Sequence, residues 1–256
     1  MNWAELYEQL SELAQTGGSL TFGQDFFIKF YQAFIVNDRW KLYIQGVGTT
    51  LLVTAFALLL GMLLGSIVAL LRTAHDQQKG HKNPLLGIVN LILRIYVTVI
   101  RGTPMMVQLL IMGMVIFSSI RNFTFVGTLT LGINSGAYVS EIIRGGLMAV
   151  DSGQMEAGRS LGLNYMTTMI NVIIPQAIKA VLPALGNEFI ILLKDTSLIT
   201  VIGGKELVYA AQGIMNRTYE AMFPLLGIAA IYLVLVMIFT WLLGIFERRL
   251  RQSDRR

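Results

Sequence analysis

The chain has 256 residues, of which 54% are hydrophobic and 14% charged, and its mean hydropathy is +0.63. An apolar excess this large cannot be buried in one soluble core, so the composition excludes a soluble enzyme and predicts an all-α integral membrane protein. The net charge of +5 lies largely in clusters near the predicted membrane ends, which indicates topology rather than nucleic-acid binding.

Residues 1–41 begin with an acidic amphipathic stretch that lacks the features of a cleaved signal peptide, so we expect it to be retained. Aromatic residues recur at helical spacing from Phe26 to Phe34, which is typical of a helix at the membrane interface or packed on the first span. We therefore predict an N-terminal extracytoplasmic or interfacial segment, followed by a single membrane domain over residues 42–250.

The first span is predicted over about residues 43–71, where Gly61 and Gly65 have the spacing that lets a neighbouring helix approach closely. A basic loop follows, and the positive-inside bias places it in the cytoplasm. Its basic residues are Arg72, Lys79 and Lys82. The N-terminus is therefore expected outside.

The next apolar stretch, residues 85–120, would form a helix of about 54 Å, which is too long for a hydrocarbon core of about 30 Å. Pro104 disfavours helical geometry at Thr103. We predict a tilted or interfacial cytoplasmic helix over 85–101, with Arg101 near the lipid headgroups, and a second span over about 104–120.

A third span, about residues 125–150, contains Glu141 and Arg144, which are three residues apart and share a helix face. Tyr138 shares the face of Asn134 and Glu141, so it could bound a cavity. Ionisable groups inside a membrane span normally face a protein interior or a water-filled cavity.

Two interpretations of Glu141 and Arg144 stay open. In the first, they form ion pairs that hold the bundle together, with each other or with Arg94, Lys179 or Glu188. In the second, Glu141 binds a substrate's cationic group while an arginine binds its carboxylate. Asn187 and Glu188 are further candidates for lining a polar path.

The polar segment 151–165 follows three crossings from an outside start and is therefore predicted to be cytoplasmic. Asp151 or Ser152 can cap a short helix there, and Gly162 can end it. The fourth and fifth spans are predicted over about 166–193 and 221–246. Two prolines, Pro175 and Pro183, are expected to kink or break the fourth, and the basic tail 251–256 is expected in the cytoplasm.

The segment Glu156-Ala157-Gly158, followed by Gly162 and by Val172-x-Ile174-Pro175, resembles the EAA loop of bacterial ABC importer permeases. Its departures from the family pattern are small or apolar exchanges. Three other passages resemble the polar amino-acid subgroup, the histidine and glutamine permease family. They are RGTPMMVQL at 101–109, AYVSEIIRGG at 137–146 and NEFIILLKDTSL at 187–198.

This resemblance implies a five-span type I importer permease that pairs with a second copy or a close relative. It also implies two cytoplasmic subunits that bind ATP and Mg, an extracytoplasmic amino-acid-binding protein, and location in the bacterial inner membrane. No cofactor is expected in this chain. The EAA segment would form a coupling helix that sits in a groove of the ATPase. The residues implied in coupling are Glu156, Ala157, Gly158, Arg159, Leu161 and Gly162.

Two other classes of function are weighed against this one. A passive channel or ion-coupled carrier could use the same buried charges but would need no coupling segment. A membrane-embedded enzyme would need a catalytic constellation, and HExxH, GxSxG and GxxxxGK[ST] patterns are all absent from the sequence. We therefore predict a translocation subunit that is not an enzyme and holds no metal site.

Overall fold

The computed structural model describes residues 2–78 and 83–253. The predictions made for Lys79, Lys82 and residues 254–256 of the tail fall outside these residues. The described part of the chain forms the helices α1 (Trp3–Gln15), α2 (Phe22–Phe34), α3 (Trp40–Asp76), α4 (Pro84–Gly102), α5 (Met105–Ile111), α6 (Phe123–Met148), α7 (Ser152–Ser160), α8 (Tyr165–Thr168), α9 (Ile174–Asp195), α10 (Leu207–Thr218) and α11 (Met222–Ser253).

Four helical stretches of the described chain are long and apolar enough to cross a membrane. They are Val36–Asp76, Pro84–Gly102, Tyr165–Ile202 and Met222–Leu250, and Met105–Ile116 is a shorter apolar helix. Helix α6, at 26 residues, is about 39 Å long and packs against α3, α4 and α9. It therefore forms the centre of the bundle.

Helices α3 and α6 pack closely at small residues, as the spacing of Gly61 and Gly65 predicted. A Cβ atom added at Gly61 would lie 2.6 Å from the Ser135 hydroxyl oxygen, and one at Gly65 would lie 2.7 Å from Cβ of Val139. Neither position has room for a side chain, so the backbones touch. Leucines of α3 fill the matching positions on α6, where the pairs are Leu60 with Gly132 and Leu64 with Gly136.

We expect Gly65→Leu to destabilise the bundle by about 1–3 kcal/mol, because the added side chain overpacks the contact between α3 and α6. The midpoint of thermal unfolding in detergent should fall. Gly48→Leu is the matched control, since it lies on the same helix and a Cβ there meets no atom within 4 Å. Equal midpoints for the two variants would show that the close contact does not stabilise the fold.

The stretch 85–120 consists of two helices, α4 and α5, with a break between them. The Tyr96 hydroxyl donates to the Ile133 carbonyl of α6 at 2.5 Å, and Val97 is buried in a cluster with Ala137. Both contacts lie near the middle of α6, so α4 packs against the centre of the bundle. The break itself falls where Pro104 predicted it, and Thr103 is extended, with φ −116° and ψ 146°.

The predicted kink or break at the two prolines of the fourth span takes another form. A π-helical turn, Met169–Ile173, joins α8 to α9, and Pro175 follows directly after that turn. Pro183 lies inside α9 without interrupting it. The helical stretch is therefore continuous from Tyr165 to Ile202.

The N-terminal helices pack on the beginning of α11. The ring centroids of Phe26 and Phe30 lie 4.9 and 6.1 Å from that of Phe223. Helix α1 stacks on α2 through Tyr7 and Tyr31, whose centroids are 4.9 Å apart. The aromatic spacing thus marks the face by which α2 joins the bundle.

The connection between α9 and α11 is held by Glu206, which is 1% exposed. Its carboxylate accepts hydrogen bonds from the backbone N–H groups of Val208 and Tyr209, which caps α10, and from the Tyr232 hydroxyl at 2.8 Å. It also accepts from Thr50 of α3 at 3.4 Å. One carboxylate therefore ties α3, α10 and α11 together.

Candidate functional site

Polar side chains surround the break between α4 and α5. The Gln108 amide donates to the Ile100 carbonyl at 2.8 Å and to the Thr103 carbonyl at 3.1 Å, which satisfies backbone groups that the break leaves free. Its oxygen accepts from Asn134 of α6 at 2.9 Å. The break is thereby fixed to the central helix by hydrogen bonds.

Arg101 lies at the same break, in the last turn of α4. Its guanidinium carbon is 5.2 Å from the ring centroid of Tyr138, which lies near the middle of α6. This is a cation–π contact, and both side chains are exposed on the surface of the single chain. A guanidinium inside a membrane span needs polar groups or water around it. The site can accept a carboxylate there.

Glu141 and Arg144 contact the C-terminal end of α3 rather than this break. Arg72 forms an ion pair with Glu141, and Arg144 donates to Asp76 at 2.8 Å. The Nε atom of Arg144 is 3.9 Å from Glu141. The structure thus favours the ion-pair interpretation, with partners on α3 that the sequence analysis did not consider.

The remaining path candidates, Glu188 and Asn187, lie in different surroundings. Glu188 is 6% exposed and accepts from the Ser135 hydroxyl at 2.8 Å, so it lies in the contact between α6 and α9. Its neighbour Asn187 is exposed. Of the six candidates, only Asn134 and Tyr138 lie at the helix break.

Sequence reasoning did not select the two side chains that define the break, Arg101 and Gln108, although both stand in the RGTPMMVQL passage. A glutamine four residues after a proline, inside an otherwise apolar span, was the available signal.

The coupling segment forms helix α7 as its capping residues predicted. The Asp151 carboxylate accepts from the Gly153 N–H at 2.6 Å, and Gly162 ends the segment with φ +82°. Gly158 differs from the prediction, because it does not face a partner: a Cβ there would lie 2.5 Å from the Thr168 methyl carbon. It packs α7 onto α8 instead.

The other side of α7 is exposed in the described chain. Glu156, Ala157 and Arg159 are exposed, and Leu161 is 82% exposed. The helix dipole acts most strongly in the first turn of a helix. Glu156 is the fifth residue of α7 and lies beyond that turn. The exposed side of α7 thus presents two charged groups and one large apolar side chain.

Among the described residues, no group of three His, Cys, Asp or Glu side chains could hold a metal ion. Apolar helices that can cross a bilayer, packed around a polar helix break, define the class of integral membrane transport proteins. The family described as binding-protein-dependent transport system inner membrane component matches residues 83–252. The chain belongs to this family, which confirms the predicted transport role in the inner membrane and gives no support to an enzyme or a passive channel.

Curated relatives agree with this family. The chain is 34% identical over 214 residues to the glutamine transport system permease protein GlnP of Escherichia coli K12, covering 82% of this chain and 93% of that protein. It is also 34% identical over 215 residues to the arginine transport system permease protein ArtQ of Bacillus subtilis, with the same two coverages.

Solved structures share the fold. A crystal structure described as an amino acid ABC transporter with histidines has a TM-score of 0.74 and 44% identity, covering 82% of this chain and 94% of that one. An inward-facing structure of the MetNI methionine ABC transporter has a TM-score of 0.67 at 19% identity and covers 84% of this chain. These matches confirm the predicted type I importer fold.

Proposed function

We propose that this chain is a transmembrane subunit of an ATP-driven importer for a polar or cationic amino acid. Relatives named for glutamine and arginine transport support the substrate class. The observation that carries the proposal is the polar helix break in the middle of the bundle, where Arg101 lies exposed beside Tyr138. Every amino acid carries a carboxylate, and a guanidinium is the side chain best shaped to bind one.

The path runs past this break. Arg101 binds the substrate carboxylate, Tyr138 bounds the cavity, and the bond between Asn134 and Gln108 holds the helix break in shape. Because Arg72 occupies Glu141 in this conformation, we assign Glu141 and Arg144 to ion pairs rather than to substrate contact. Glu188 has a packing role through Ser135, and exposed Asn187 lies on the path side.

The partners follow from the permease class. A second copy of this chain or a close relative completes the path, and an extracytoplasmic binding protein delivers the amino acid. Two cytoplasmic subunits bind ATP and Mg and hydrolyse the ATP. With the N-terminus outside and the C-terminus in the cytoplasm, three of the five crossings precede α7 and place it on the ATPase side. Glu156, Ala157, Arg159 and Leu161 contact the ATPase groove there.

The experiment that tests the substrate class is a screen of amino acids for stimulated turnover. The chain is reconstituted in proteoliposomes with its ATPase and binding protein, and the rate of ATP hydrolysis is measured with each amino acid in turn. We expect stimulation by arginine, histidine, lysine or glutamine. Stimulation by none of the twenty would contradict an amino-acid importer.

A further inference from the structure

The cytoplasmic end of α3 contacts the chain on both sides of α7. Asp76, the last residue of α3, accepts from Arg144 at 2.8 Å, and Arg144 lies seven residues before the α7 cap. The next residue, Gln77, accepts a hydrogen bond from the hydroxyl of Tyr165, the first residue of α8. Asp76 and Gln77 are thus hydrogen-bonded to the chain before α7 and to the chain after it. We call these two contacts the α3 clamp.

A second ion pair supports the clamp one helical turn further into the bundle. Arg72 pairs with Glu141, and the side chain of Arg72 is only 12% exposed. The side chain of Arg144 is 20% exposed, so neither arginine is fully screened by water. The Nε atom of Arg144 is buried and has no hydrogen-bond acceptor among the described residues. The pairing of these charges is therefore incomplete in this conformation.

The clamp spans a cavity rather than a packed interface. A cavity of about 340 Å³ lies between α3, α6 and the π-helical turn after α8, and its lining includes Asp76, Gln77 and Arg144. Close-packed side chains resist small displacements, whereas polar contacts across open space can exchange partners when helices shift. The open space leaves room for this end of α3 to move.

We propose that Asp76 and Gln77 are positioning residues that transmit the displacement of α7 to α3. This inference rests on the proposed coupling role of α7. When the ATPase moves α7, the bonds of Arg144 and Tyr165 pull the end of α3. Because α3 continues across the membrane, it carries that displacement toward the outer end, where Glu206 ties it to α10 and α11.

The test compares transport per ATP hydrolysed in Asp76→Asn and in the charge exchange D76R/R144D. Proteoliposomes contain the ATPase and the binding protein, and the probes are labelled arginine and glutamine. We expect Asp76→Asn to keep the ATPase bound but to lower the transport ratio at least about fivefold, the lower end of allosteric coupling. The charge exchange should restore the ratio to within about twofold.

Asp38→Asn is the matched control, because Asp38 and Lys41 form an exposed ion pair of 2.6 Å at the other end of α3. Its ratio should equal that of the unaltered chain. Should Asp76→Asn fail to fold, Tyr165→Phe removes the second contact without changing charge and should lower the ratio in the same direction.

Unchanged ratios in both Asp76→Asn and Tyr165→Phe would overturn the clamp. So would loss of ATPase binding in both, since the residues would then serve assembly only. The proposed function fails separately, through Glu156→Lys: if that variant still binds the ATPase, α7 is not the coupling helix, whatever the clamp variants show.

Discussion

Reversing the charge of Glu156 will separate this chain from its ATPase. Glu156 is an exposed residue of α7. Like charges brought together in an interface cost several kcal/mol, so Glu156→Lys should weaken binding of the ATPase at least about 30-fold. The measurement is the amount of ATPase that co-purifies with the tagged chain at several protein concentrations.

The matched control for this variant is Glu8→Lys, which reverses an exposed carboxylate of α1 on the other predicted side of the membrane. It should retain the ATPase in full. Full retention by Glu156→Lys as well would remove α7 from the coupling interface.

Replacing Arg101 by glutamine will reduce substrate-stimulated transport by about 10- to 100-fold while the ATPase stays bound. The physical reason is the loss of charged hydrogen bonds to the substrate carboxylate, which contribute about 1.5–3 kcal/mol. Uptake of labelled amino acid into proteoliposomes measures the first effect, and co-purification measures the second.

Arg94→Gln controls for the loss of an arginine on α4, because Arg94 is exposed two helical turns before Arg101. Its uptake should change by less than about twofold. Equal losses in Arg94→Gln and Arg101→Gln would mean that the charge of α4 matters for insertion or assembly, and that Arg101 does not bind substrate.

The sequence predicts the local features of this fold well, because they depend on residues close together in the chain. The Asp151 cap, the left-handed Gly162 and the helix break before Pro104 follow from rules that act within a few residues. The close contact at Gly61 and Gly65 follows from the size of a missing side chain.

The pairing of charges could not be predicted in the same way. Glu141 pairs with Arg72, which lies 69 residues earlier in the chain. In the sequence, Arg72 belongs to a basic loop and indicates only the topology. Helical periodicity gives the face on which a carboxylate lies but not the helix that meets that face. The contact of Arg101 with Tyr138 could not be predicted for a related reason, since the position of α4 depends on the contact of Tyr96 with α6.

Uptake of labelled arginine and glutamine into proteoliposomes is the most direct test of ATP-driven import by this chain. The vesicles hold the chain and its ATPase, and ATP and the binding protein are supplied or withheld independently. We predict that at least one of the two amino acids accumulates only when both ATP and the binding protein are present. Uptake at the same rate without ATP would contradict it, because a passive channel or an ion-coupled carrier would then suffice.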